Sequence, residues 1–303
     1  MLSSAKEVEA GDELRAQAAG ENFPVALRLL PARYRRRLMA VYAFARTVDD
    51  AGDRGPAGDR MALLAGLEAD LPLLYAGLAR PDAAGGEPAA SPSGAGGQTP
   101  RNAAVSGLAA TITECQIPME PFLDLIRANV QDQQVSRYET AQDLLGYCRL
   151  SANPVGRIVL YVFGCFSPER AALSDFVCSG LQLAEHWQDV AEDYGAGRVY
   201  LPQADLRGHG CSDGDLAAQS ASRQLRRLVA DEVAWARELI DQGAPLIGQL
   251  RGAARVAVAG YVAGGRAALA AIAAAGYDPL AATPRPGKAR TAAELALAYA
   301  RGR

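Results

Sequence analysis

LQLAEHWQDVAED, residues 181–193, is the stretch that decides the fold. At helical spacing Leu183, Ala184, Trp187, Val190, Ala191 and Tyr194 form one apolar stripe, and Gln182, Glu185, Asp189 and Asp193 fall on the face beside it. Three carboxylates therefore point the same way. At an effective dielectric of about 20, two like charges roughly 5 Å apart repel by about 3 kcal/mol, so a sheltered acidic cluster calls for a cation or added protons. Taken alone, such a run also reads as a solvated helix face. A second, matching cluster changes the balance.

That cluster lies upstream. Between Arg33 and Asp53, Leu38, Val41, Ala45 and Val48 make an apolar stripe, with Tyr42, Arg46, Asp49 and Asp53 on a neighbouring one. Asp50 is adjacent, and Gly52 and Gly55 predict that the helix ends near there. Aspartates near a helix C-terminus oppose the macrodipole, and a bound cation would offset this. Two DxxxD sequences, Asp49 to Asp53 and Asp189 to Asp193, can face each other across a helical bundle. Mg²⁺ takes one or two carboxylates together with substrate phosphates and water, so opposed acidic patches suit a metal–diphosphate cluster. Arg46, Arg198 and Arg266 are candidates for neutralising phosphate oxygens, and the chemistry allowed is ionisation of an allylic or cyclopropylcarbinyl diphosphate into an apolar cavity.

The rest of the chain supports a helical reading. Half of the 303 residues are hydrophobic, β-branched residues are sparse, and Ala, Leu, Gly and Arg dominate. The net charge is −3 and no basic stripe interleaves with aromatics, which speaks against a nucleic-acid partner. Arg33, Arg35, Arg36 and Arg37 form the single basic cluster, a solvated helix start or an anion contact. The five cysteines stand apart without CxxC, so neither zinc nor a disulfide framework is expected. Residues 1–20 read as a flexible leader rather than a signal peptide, and no long uncharged apolar run predicts a membrane span. A single all-α domain over 21–303 is expected, carrying a disordered Pro/Gly/Ser-rich insertion at about 81–101. Helices are predicted at 22–30, 33–53, 60–79, 102–114, 119–132, 140–164, 168–193, 213–242, 244–275 and 290–301, with Pro154 kinking or dividing the fifth-last of them. Nucleotide, P-loop, serine-hydrolase and zincin motifs are absent; of the two histidines, His186 reads as a core or helix-surface residue.

Four ordered segments carry a resemblance: YAFARTVDDAGD (42–53), YCRLSANPVGR (147–157), LQLAEHWQDVAED (181–193) and GRVYLP (197–202). Together they resemble the squalene/phytoene synthase family of all-α isoprenoid synthases over about Asn22 to Asp278. The resemblance implies metal ligands at Asp49, Asp53, Asp189 and Asp193, with Asp50 as an auxiliary; Glu185 stands where the family carries Asn, a departure that allows an extra metal ligand, a pair with a nearby arginine, or a spoiled site. It implies Tyr42 and Arg46 at the diphosphate, Tyr147 as the active-site tyrosine, and Arg198 and Tyr200 from GRxYLP. Gln182 matches the motif glutamine, and Asn22, Asn153 and Arg266 join the substrate-binding candidates. SANPVGR and WQDV are most similar to the hopanoid-pathway, hydroxysqualene-forming members. For those the resemblance implies presqualene diphosphate as substrate, Mg²⁺ (or Mn²⁺) as cofactor, no NADPH, and water capture of the final cation. Condensation of two prenyl diphosphates, as in presqualene diphosphate or phytoene synthases, is the alternative, and a non-catalytic scaffold of the same fold a second one. Other members carry Arg at position 188; Gln188 would remove a cation beside the diphosphates, which fits a site handling one diphosphate. Lipid substrates imply a cytoplasmic protein peripheral to the inner face of the membrane, with handover from and to the enzymes before and after it.

Overall fold

A computed structural model describes residues 30–79 and 99–302; the expected leader, the helix over 22–30, Asn22 and most of the insertion lie outside the described residues. The described residues are helical, with one isolated parallel bridge, Arg137 to Val199, and no strand. In chain order they form α1 (Ala32–Asp53), α2 (Ala57–Leu78), α3 (Ala103–Ser106), α4 (Ala109–Cys115), α5 (Glu120–Asp132), α6 (Ala141–Ser151) and α7 (Asn153–Val162). There follow α8 (Pro168–Gln188), α9 (Val190–Gly195), α10 (Gln203–Gly208), α11 (Asp213–Leu216), α12 (Arg223–Gly243), α13 (Leu246–Gln249), α14 (Gly252–Ala274) and α15 (Lys288–Arg301).

Periodic apolar residues make these helices and capping residues bound them. On α1, Leu38, Val41, Phe44 and Val48 are buried, and they join α2, α5 and α7 in one apolar cluster. A second and larger cluster gathers around α8, α12 and α14. α7 links the two, since Ile158, Val159 and Val162 belong to the first and Leu160 to the second. α8 starts on the Ser167 cap, whose side chain accepts from the Arg170 amide, and runs against α12. The two backbones come close at Gly180. A Cβ there would stand 2.6 Å from Ile240 Cγ1 and 2.8 Å from the Ala236 carbonyl oxygen, so only glycine fits.

Several helices are shorter than the periodicity predicts. The stretch 140–164 divides at Ala152, just before Pro154, as proline in a first turn requires. The stretch 168–193 breaks at Asp189 (φ −104°, ψ 18°), which rotates the end of the apolar stripe: Val190 stays buried, whereas Ala191 is exposed. The predicted 213–242 helix is two, because 217–222 leaves the helix where the buried Asp278 accepts from the Ala221 amide. The predicted 244–275 helix is interrupted at extended Leu250. α10 has too short an apolar pattern to be read in advance. Residues 99–101, assigned in sequence to the insertion, are described; the amides of Arg101 and Asn102 donate to the buried Asp70 at 2.8 and 2.7 Å, tying α2 to α3.

Among the described residues two helices, α2 and α14, are long and apolar enough to cross a membrane, although each carries charged residues, as the sequence expectation requires. Most of the apolar window of α14 is packed inside the protein, as suits a core helix; much of α2 faces outward, with Met61, Leu63 and Leu78 exposed.

Glu232 on α12 is buried beneath Trp187, whose indole Nε1 donates to the Glu232 carbonyl oxygen at 3.1 Å. Burial, with the neighbouring Asp205 and Asp231 carboxyls, pushes the Glu232 side chain up to about 8. The folded chain thus holds a proton that the unfolded chain releases, and stability falls as pH rises from the ordinary glutamate range to about 8. Thermal unfolding should show the midpoint dropping by several degrees across that window, and Glu232→Gln should flatten the drop.

Candidate active site

A cavity opens between α1 and α8, the helices that lead into the two acidic motifs; the motif aspartates themselves are not in its wall. α1 contributes Tyr42 and Ala45 to its wall and α8 contributes Leu181, Gln182 and Glu185. The cavity holds about 290 Å³ and is apolar below that rim, with Val155 and Val159 from α7, Val177 from α8 and Val258 from α14. Asp49, Asp50 and Asp53 lie at the C-terminal end of α1; Asp189 and Asp193 lie at the break between α8 and α9.

Cross-links hold the first motif in place. Asn129 Nδ2 donates to Asp49 at 3.2 Å, and Gln133 Nε2 donates to the Gly52 carbonyl at 2.9 Å, so α5 grips the end of α1 from both sides. Asp50 pairs with Arg46 at 3.0 Å and with Arg54 at 3.3 Å. Asp53 pairs with Arg198 at 2.6 Å, which joins the first motif to the segment following the second. Burial works against the Arg198 charge, but Asp53, Tyr200 and Asp132 outweigh it and raise its pKa, keeping the guanidinium charged.

Around the second motif, the Arg198 amide donates to the Asp193 carbonyl at 2.8 Å. His186 stacks on Tyr200, with ring centroids 3.6 Å apart, and its Nε2 lies 3.2 Å from Gln182 Nε2 and its Nδ1 3.8 Å from Asp193 Oδ2. Burial lowers its pKa, so the ring is neutral, accepting from Gln182 at Nε2 and turning Nδ1–H toward Asp193. Tyr138, Tyr147 and Tyr200 complete an aromatic layer with centroid separations of 5.5 to 5.9 Å. The layer is aligned by backbone bonds from the Val199 amide to Ser136 and from the Gln203 amide to Tyr138.

The remaining expectations divide. Asn153 is buried at the head of α7, accepting from Ser179 Oγ at 3.0 Å. Arg266 is engaged with Asp241 on α12 at 2.8 Å and is not among the residues this geometry gathers. Gln188 is buried, and its Nε2 donates to the Pro284 carbonyl. The next residue, Arg285, supplies positive charge toward Asp189. Asp132, Asn129, Gln133, Tyr138 and Arg285 carry no motif and were missed; only their polarity beside apolar helix positions marks them in sequence.

Carboxyl chemistry reflects the crowding. Burial, followed by repulsion from Asp193 and Glu192, raises Asp189 to about 6, with Arg285 pulling the other way. Burial also raises Asp49, against the Asn129 hydrogen bond, with Asp53 adding to the rise. Among the described residues no three His, Cys, Asp or Glu side chains cluster tightly enough to hold a metal by themselves. Hard cations bound by one or two carboxylates plus phosphate oxygens need no tighter cage. Two buried polar atoms beside the site, Arg46 Nε and Asp132 Oδ1, have no hydrogen-bond partner. A buried donor and a buried acceptor left open between acidic arms fit a group that brings both anionic oxygens and positive charge, as a metal diphosphate does.

The squalene/phytoene synthase family profile matches residues 16–292, and the chain belongs to that family of isoprenoid synthases. It is 33% identical over 235 residues to a hydroxysqualene synthase of Sinorhizobium fredii, covering 76% of this chain and 72% of that one. To a hydroxysqualene synthase of Rhodopseudomonas palustris it is 32% identical over 251 residues, covering 82% and 77%. Its fold superposes on the crystal structure of a squalene synthase from Alicyclobacillus acidocaldarius with a TM-score of 0.74 and 41% identity, covering 88% of this chain and 94% of that one.

Gly52 tests the geometry directly, because a Cβ there would stand 2.5 Å from Asn129 Oδ1. Gly52→Ala should displace Asn129 from Asp49 and lower turnover by roughly tenfold, the equivalent of one hydrogen bond to a charged group. The thermal midpoint should fall by no more than a few degrees.

Proposed function

We propose that this protein converts presqualene diphosphate to hydroxysqualene. The observation that carries the reading is an apolar cavity between the two helices that lead into the acidic arms, with Tyr42, Gln182 and Glu185 in its wall. Likeness to proteins named hydroxysqualene synthase supports this reaction. Asp49 and Asp53 would hold Mg²⁺ on one arm and Asp189 and Asp193 on the other, with Asp50 and Glu185 beside them. When bound, Mg²⁺ would neutralise diphosphate charge and make it a better leaving group.

The chain's own residues do the rest. Arg46 and Arg198 bind diphosphate oxygens and orient the C–O bond toward the cavity; Tyr42 and Gln182 fix the substrate at the rim. The C–O bond breaks with its electron pair leaving on the diphosphate. The cyclopropylcarbinyl cation then rearranges among apolar side chains that exclude bulk water, while the rings of Tyr147 and Tyr200 present negative faces to the positive charge. Water adds to the final cation, the C–O bond of the alcohol forms, and a proton is released. No reductant enters, so NADPH is not required.

Arg285 beside Asp189 favours a second reading, condensation of two prenyl diphosphates, because it returns positive charge to the second arm. The long apolar substrate and product further call for peripheral association with the inner face of a membrane, for which the outward residues of α2 are suited. The purified protein with Mg²⁺ should yield hydroxysqualene from presqualene diphosphate and nothing from farnesyl diphosphate alone. Formation of presqualene diphosphate from farnesyl diphosphate would transfer the assignment to the second reading.

A further inference from the structure

Asp132 is the last residue of α5, a position where the helix dipole disfavours a carboxylate. Its Oδ2 accepts a hydrogen bond from the Tyr147 hydroxyl at 2.8 Å. Its Oδ1 is buried without a partner. Burial raises its pKa to about 6; the Tyr147 bond and Arg198 pull it down, and Asp53 and Asp49 push it up. A carboxylate that meets an unfavourable dipole, loses water and leaves one oxygen unpaired is a poor structural device. A residue with the same shape and no charge would hold the helix end at lower cost.

Its partner explains it. Tyr147 is buried between Tyr138 and Tyr200, and burial with the nearby Asp132 charge raises its pKa well above the ordinary tyrosine range, so it remains a phenol with one hydrogen to place. A phenol that is free to rotate can donate that hydrogen to a diphosphate oxygen or to water. With the hydrogen committed to a carboxylate it cannot; the Tyr200 hydroxyl also meets the phenol oxygen, and the remaining lone pair and the electron-rich ring are what is left for a substrate.

We infer that Asp132 is a positioning residue for Tyr147, holding the phenol hydrogen away from the substrate so that the tyrosine meets developing positive charge as an electron donor. The inference rests on the carbocation chemistry proposed above and adds to it a residue outside every recognisable motif. It applies equally if the cation arises from presqualene diphosphate or from a prenyl diphosphate.

A double-mutant cycle of Asp132→Asn and Tyr147→Phe tests it, run with whichever of presqualene diphosphate or farnesyl diphosphate is turned over. Asp132→Asn should lower kcat about 10- to 100-fold, the loss of one charge-assisted hydrogen bond, with KM and the Mg²⁺ requirement unchanged. The double variant should be no slower than Tyr147→Phe alone. Losses that multiply, or a shifted Mg²⁺ dependence, would overturn the inference in favour of an independent or metal-binding role.

A second measurement needs no substrate and separates this inference from the proposed reaction. With carbon-13 at the oxygen-bearing ring carbon of tyrosine, the Tyr147 resonance is identified by its loss in Tyr147→Phe. It should move in Asp132→Asn while the other tyrosine resonances hold; an unmoved signal overturns the inference whatever the enzyme makes. Should Asp132→Asn fail to fold, Tyr147→Phe still decides: full retention of kcat would leave Asp132 nothing to position.

Discussion

Repulsion between carboxylates is the constraint on which the rest of this structure depends. Within each acidic motif the carboxylates repel one another, Asp49 with Asp53 and Asp50, and Asp189 with Asp193 and Glu192. Arg198 answers this by pairing with Asp53 while its own amide is tied to Asp193. Arg46 and Arg54 share Asp50, Asn129 donates to Asp49, and Arg285 faces Asp189. Burial first, and then this repulsion, raises the pKa values of Asp49 and Asp189 in spite of these contacts.

The apolar half of the cavity follows from how tightly the helices behind it pack. Gly180 lets α8 settle against α12, and α7 joins the two apolar clusters as a wall between them. A rigid wall of aliphatic side chains has few nucleophiles to offer a cation, and it gives a long prenyl chain a place out of water. The acidic rim and the dry interior are thus adjacent because the same helix, α8, carries an apolar stripe along its length and carboxylates at its C-terminal end.

Much of this was legible in the chain. The stripes through Leu183, Ala184 and Trp187 and through Leu38, Val41 and Val48 gave two amphipathic helices, and all six residues are buried. The division near Pro154 follows from proline chemistry alone. What was not legible depends on contacts between residues distant in sequence. The break at Asp189 and the interruption at Leu250 leave no gap in the apolar pattern, so periodicity runs through them. Asp132, Asn129 and Gln133 sit in a polar helix end like many others and become site residues only because α5 packs against α1. The place of Gln188 in a motif is visible in the same way, but Pro284, the group it bonds, comes from almost a hundred residues away.

The central claim is that both acidic arms act together on one metal-bound diphosphate. Calorimetric titration of inorganic diphosphate into the full chain, with and without Mg²⁺, tests it most directly when repeated on Asp49→Asn and Asp189→Asn. Binding that requires Mg²⁺ and is lost in each single variant is the expected result. Diphosphate binding that persists without Mg²⁺, or that survives the loss of either arm unchanged, would contradict it.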